Sequence, residues 1–236
     1  MHEDGELLND KFSNEKLSDE KASESSTNES LKASPYQPKA SPIPLHFHMV
    51  KQLTIIGRGE CGKTSLVRRF MKNEFSEELS ATPIENEDYV FTSEGKQFKL
   101  KIWDTSGQDD FLRLRGLTLP MSDYVMICYS ITDPLSFYEV ENTLMPMVKQ
   151  KAREDVKIML VATKVDKRSE DTVSTEEGTM LAKRIGAFKF IESSSVIDIE
   201  KNTGIKSIFD ELRKDMLESS SPKQRGLFRR IFFCCL

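Results

Sequence analysis

The stretch Gly57-Arg58-Gly59-Glu60-Cys61-Gly62-Lys63-Thr64 has residue types and a spacing suited to phosphate chemistry. Glycines let the backbone curl so that successive N–H groups point inward at anionic oxygens. A helix opening at Lys63 adds the positive end of its dipole. Lys63 would bring a cation to the outer phosphates of a nucleotide, and the Thr64 hydroxyl suits a hard cation such as Mg²⁺. Context makes the motif informative. The apolar run Leu53-Thr54-Ile55-Ile56 reads as a buried strand, and Ser65 to Met71 has helical character. Strand, glycine-rich turn ending in Lys-Thr, then helix is the setting a phosphate-binding loop requires.

The elements that must position this loop follow from periodicity. Tyr89 to Thr92, Glu94-Gly95 and Gln97 to Trp103 read as a hairpin, whose second strand alternates polar and apolar residues. Phe75 to Asn86 before it is expected to be loop. Tyr124 to Tyr129 is a continuous apolar run, the mark of a central parallel strand. Leu135 to Arg153 has helical spacing that Pro146 should kink or break. Val156 to Ala162 is the next strand, and Phe188 to Ile191 a short one. Thr175 to Ile185 carries a capping pattern, with Ser174 or Thr175 as cap, Glu176 and Glu177 in the first turn and Gly186 past the end. Ile205, Ile208, Phe209, Leu212 and Met216 mark the apolar face of a final helix. Strands alternating with helices imply a mostly parallel sheet covered on both faces, with ligands at the carboxyl ends of its strands. The polar turns Asp104 to Gln108, Thr163 to Asp166 and Glu192 to Ser195 all follow strands, so all could face one site.

Composition narrows the field. The chain has 236 residues and a net charge of -4, which does not suggest a nucleic-acid binder. Its four cysteines lack paired spacing, which argues for reduced thiols in the cytosol. No run approaches the roughly 20 apolar residues that span a bilayer, so any membrane contact must come through an anchor. Residues 1 to 49 are rich in Ser, Glu, Lys and Asn and end in a proline-rich stretch, so a disordered extension is expected. His46 and His48 read as linker residues, with no third metal ligand nearby.

The motifs from Lys51 to Glu218 resemble a Ras-superfamily small GTPase, with Rho the nearest branch. Cys61 to Ser65, Arg113-Leu114-Arg115, the Thr-Lys-x-Asp pattern at Thr163, and Glu176-Glu177-Gly178 with Arg184 to Phe188 carry the Rho flavour. The resemblance implies an α/β P-loop GTPase fold, with a mostly parallel six-stranded sheet flanked by helices, as a G domain over residues 50–218 between disordered tails. It implies that Gly57, Gly59, Glu60, Cys61, Gly62, Lys63, Thr64 and Ser65 cradle the phosphates of GTP or GDP. Thr64 and Thr82 would be direct Mg²⁺ ligands, and Asp104 would hold the ion through water. The Gly107 N–H would touch the γ-phosphate, and Gln108 would orient the attacking water as the catalytic residue. Thr163 and Lys164 would line the guanine and Asp166 would read its N1–H and 2-amino group. Phe75 would pack edge-on to the base, and Ser194 and Ser195 would lend backbone to the guanine oxygen. Exchange factors, GTPase-activating proteins and effectors are the implied partners of a monomeric chain.

Several positions depart from the family pattern. Glu60 replaces a small residue, and its carboxylate is expected to seek Arg58 or a basic switch partner. Leu79 stands where a Tyr commonly covers the nucleotide, and Pro83 directly follows Thr82. Only Lys167 to Ser174 separates the Thr-Lys-x-Asp motif from the next helix, so the extra helix typical of Rho proteins is expected to be missing. Residues 219–236 mix Lys223, Arg225, Arg229 and Arg230 with aromatics and end in Cys234-Cys235-Leu236. The pair resembles the dicysteine end of Rab proteins. Prenylation or palmitoylation at Cys234 and Cys235 would hold the chain to the cytoplasmic leaflet of a membrane. Two other readings stand beside the switch: a nucleotide-loaded binding module with little turnover, and an ATP-dependent enzyme, which Lys164 and Asp166 disfavour.

Overall fold

The computed structural model describes residues 46–76, 84–105, 116–197 and 203–221. Its strands are β1 (Met49–Gly57), β2 (Ile84–Ser93), β3 (Lys96–Thr105), β4 (Tyr124–Ser130), β5 (Lys157–Thr163) and β6 (Lys189–Glu192). They form one six-stranded sheet in the order β2-β3-β1-β4-β5-β6. Only the β2–β3 hairpin is antiparallel; the other neighbours run parallel. The helices are α1 (Lys63–Lys72), α2 (Pro134–Glu139), α3 (Met145–Lys151), α4 (Thr175–Ile185) and α5 (Thr203–Ser220).

Period-two alternation along the central strands feeds two separate apolar layers. Tyr124, Met126 and Cys128 face the side that Leu66 and Val67 of α1 and Ile205, Ile208, Phe209, Leu212 and Met216 of α5 cover. Val125, Ile127 and Tyr129 face the other side, against Val140, Leu144, Met145 and Val148, and Leu181, Ala182 and Ile185 of α4. Every residue of β4 is buried, as its uninterrupted apolar run requires when both faces are covered. The Ser174 hydroxyl and the Glu177 carboxylate cap α4 reciprocally, and Gly186 ends it at φ 70.

Element boundaries differ from the sequence reading at several places; β1, for example, runs from Met49 to Gly57 and β5 from Lys157 to Thr163. β2 begins at Ile84, so Ile84 to Asn86 belong to the hairpin because they pair in register with Thr105 to Trp103. The sixth strand starts at Lys189, one residue after Phe188. His48 is already tied in, its N–H donating to the Gln97 carbonyl at 2.7 Å and its ring edge-on to Phe98. Pro146 produces no break. The helix absorbs it through a π turn, Val140–Leu144, in which the Met145 N–H reaches back five residues to the Val140 carbonyl. The widened turn makes room for a ring that would otherwise strike the carbonyl four residues earlier.

Candidate functional site

The register sets the carboxyl ends of the parallel strands side by side. Ile55 lies opposite Asp104, Gly57 opposite Cys128, and Ser130 opposite Thr163. From this edge rise the Gly57–Thr64 loop and the turns after β5 and β6. Among the described residues, three charged side chains are buried: Lys63 at 5% exposure, Arg69 at 8% and Asp104 at 4%. Asp104 ends β3 and Lys63 opens α1, both along this edge, while Arg69 reaches it from α1. Such side chains are rarely buried without a specific use.

The loop after β1 is held in a curl by its own chemistry. A Cβ at Gly57 would sit 2.4 Å from the Cys128 carbonyl oxygen and 2.9 Å from the Cys61 sulfur, so only glycine fits that close approach. Glu60 and Gly62 take left-handed backbone, at φ 62 and φ 94. Gly62 caps α1 with no side-chain hydrogen bond, leaving the first-turn N–H groups without a local acceptor of that kind. The Lys63 ammonium folds back over the loop and donates to the carbonyls of Gly57 at 3.1 Å and Arg58 at 2.8 Å. Carbonyls rather than a carboxylate hold this cation, so its charge is not neutralised. That is the electrostatic condition for taking up an anion. Burial pushes the Cys61 thiol up from its ordinary range despite the nearby Lys63 cation, so it is a packing group here.

The turn after β5 is fastened to the same loop. The Thr163 hydroxyl faces the carbonyls of Cys61 and Tyr129. Lys164 adopts φ 60, and Val165–Lys167 form a short 3₁₀ turn that presents Asp166. The Ser194 hydroxyl donates to the Asp166 carboxylate at 2.5 Å, and the Val165 N–H to the Ser193 carbonyl at 3.3 Å. The structure therefore brings together the Gly57–Ser65 loop, Thr163, Lys164, Asp166 and Ser194, with Asp104 on the neighbouring strand end. Ser195 is placed by its carbonyl, which accepts from Arg69 at 2.8 Å. Phe75 is 36% exposed and lies beneath the Arg69 guanidinium, 5.9 Å from the ring centre. With Ser65, Arg68, Glu74 and Ser76 it lines a cleft of about 220 Å³.

Arg58 corrects one expectation: it turns to Glu139 and, at 3.6 Å, to Asp133, rather than to Glu60. Asp133 precedes α2 and Glu139 ends it, both within reach of the Arg58 side chain, while Glu60 is exposed. Thr82, Gly107, Gln108, Leu79, Pro83, Cys234 and Cys235 lie outside the described residues. Sequence reasoning missed Arg69. Its signal was available: a charge in the α1 stripe of Leu66, Val67 and Phe70, where an apolar residue is the default.

A Ras family profile matches residues 52–218. The Rho-related GTP-binding protein RhoB of Homo sapiens is 34% identical over 197 residues, covering 78% of this chain and 96% of the relative. The RhoB proteins of Mus musculus and Rattus norvegicus match equally well. Between β5 and α4 the only helical segment is the Val165–Lys167 turn, so the extra helix expected of Rho proteins is indeed missing there. A glycine-rich Lys-Thr loop after β1, a fastened Thr-Lys-x-Asp turn and a match over nearly the whole folded region agree: the chain belongs to the Ras family of small GTPases and is Rho-like within it.

Proposed function

We propose that this protein is a molecular switch that binds GTP, hydrolyses it to GDP and signals to effectors while the γ-phosphate is present. One observation carries the reading. The Thr163 hydroxyl meets the Cys61 carbonyl, which ties the Gly57–Thr64 loop to the turn that carries Asp166 and supports a shared site for phosphate and base. In that frame Gly57 to Ser65 bind the phosphates, with Lys63 shared between loop carbonyls and phosphate oxygens. Lys164 lies along the guanine, and Asp166, oriented by Ser194, accepts from its N1–H and 2-amino group. Adenine lacks that donor pair and would leave the carboxylate unmet, which selects guanine. Gln108 orients the attacking water. Hydrolysis is slow unaided, because the sequence supplies no evident arginine in cis, and a GTPase-activating protein would provide one.

The donor set also fits Mg²⁺. The Thr64 hydroxyl, at the start of α1, would be a direct hard-oxygen ligand with Thr82, and the Asp104 carboxylate, near the end of β3, would hold the ion through water. When bound, the ion would neutralise phosphate charge. Glu60 favours a second reading, a nucleotide-loaded module with little turnover, because it places a carboxylate on the phosphate loop. Native purification followed by nucleotide identification and single-turnover hydrolysis with and without Mg²⁺ tests both. Bound guanine nucleotide with turnover that falls in Gln108→Leu supports the switch. An empty chain, or one that holds adenine as readily, overturns it, and guanine nucleotide without turnover leaves the module.

The switch works at a membrane, through lipids on Cys234 and Cys235 reinforced by the basic, aromatic tail before them. Among the described residues no helix is long and apolar enough to cross a bilayer. Replacing both cysteines by serine should move the protein from the membrane to the soluble fraction. Unchanged partitioning would reject the anchor.

A further inference from the structure

Arg69 stands in the middle of α1, two turns past the phosphate loop, and nothing in the switch chemistry uses it. Its position would suit a leucine. A buried guanidinium is costly unless its N–H groups are satisfied. Here they are satisfied in an unusual way. Nε donates to the Ser195 carbonyl at 2.8 Å and Nη2 to the Val196 carbonyl at 3.4 Å. Nη1 donates to the Asn73 carbonyl at 2.9 Å and to its side-chain oxygen at 3.1 Å. Among the described residues no carboxylate is paired with it. Its acceptors all belong to two loops, and in the guanine-nucleotide reading each loop would form one wall of the base pocket.

The first wall runs through Asn73, which ends α1 in left-handed backbone at φ 54 and directs the chain to Phe75. The second is the loop after β6, whose Ser194 hydroxyl orients Asp166 and also accepts from the Val196 N–H at 3.3 Å. The planar fork of arginine can reach both loops at once, and its face lies over Phe75. We infer that Arg69 is a positioning residue for guanine recognition: it clamps the Phe75 wall to the Ser194–Val196 wall and so sets how slowly the nucleotide leaves. The phosphate side does not pass through this clamp, since Lys63 and Gly57 are held within their own loop. The inference rests on the guanine-nucleotide reading above.

The test compares release of a fluorescent GDP analogue with single-turnover GTP hydrolysis in the full chain, for wild type, Arg69→Met and Arg69→Lys. Removing charge-assisted hydrogen bonds to both walls should speed release in Arg69→Met by roughly 10- to 100-fold. Arg69→Lys keeps the charge but loses the fork, and should fall between, at about threefold or more. Hydrolysis of GTP already bound should stay within about twofold, a separation that general destabilisation would not give. Unchanged or slower release in folded Arg69→Met overturns the inference, as does faster release accompanied by a comparable loss of hydrolysis. If the methionine variant does not fold, Arg69→Lys decides: faster release supports the clamp, and wild-type release rejects it. A wild type that binds no guanine nucleotide would overturn the functional reading along with this one.

Discussion

The two ends of the sheet handle charge in opposite ways. At the amino ends of the strands, cations meet carboxylates. Lys51 lies 2.8 Å from Asp123, Arg153 contacts both Asp123 and Asp155, and Lys157 pairs with Asp215, which also accepts from the Tyr124 hydroxyl. At the carboxyl ends the buried cations Lys63 and Arg69 meet main-chain carbonyls instead, while the more exposed Arg58 and Arg168 pair with acids. A cation matched by a carboxylate is neutral to anything outside. A cation matched by dipoles keeps its charge and its geometry. The amino end ties strands and helices together, and the carboxyl end keeps the unneutralised charge that binding an anion would require. Burial and the kind of partner together distinguish the two ends: the cations held by carbonyls are buried, and those held by carboxylates are partly exposed.

That contrast can be broken by substitution. Lys63→Ala should weaken guanine-nucleotide binding by about 100-fold or more, since it removes a desolvated cation from the phosphates, while leaving the apo fold close to intact. Equilibrium titration with a fluorescent nucleotide measures the first, and a thermal melt without nucleotide the second. Unaltered affinity would place the phosphates elsewhere. Asp123→Asn should do the reverse. Asp123 holds the Lys51 ammonium and the Gln52 N–H, so its loss should cost about 1–2 kcal/mol of stability. Nucleotide affinity should not move. A change in affinity comparable with that of Lys63→Ala would erase the division between the ends.

The smallest effect lies at the rim of the amino end. Hydrogen bonding from Arg153 holds the Asp155 carboxyl below its ordinary value. Because the folded group is the stronger acid, its contribution is present above the unfolded value near 3.8 and is lost as pH falls below it. Both groups are exposed, so Asp155→Asn should cost at most about 0.5 kcal/mol at neutral pH. The difference from wild type should vanish in acid melts. A difference that persists there would mean that something other than the ion pair is at stake.

Much of the local structure was legible in the residues. The Lys-Thr turn, the Thr-Lys-x-Asp pattern and the capping box are local: each is a short run whose function depends on neighbours a few positions away. The alternation of β3 and the unbroken apolar run of β4 were equally readable, since side-chain period reports which faces are covered. The spacing of Pro146 gave a perturbation but not its form, because whether a helix breaks or widens depends on what packs around it.

By itself, then, the sequence determined the order of strands and helices, the loop that curls at Gly57 and the carboxylate offered at Asp166. The tertiary structure decided the pairings between distant segments. It brought Thr163 to Cys61, Ser194 to Asp166, Arg58 to Glu139 rather than to its neighbour Glu60, and Arg69 to Ser195, 126 positions away. The physical reason is that a polar side chain's partner is fixed by which loops the sheet register sets side by side. A buried guanidinium cannot be told from a surface one until those loops are in place.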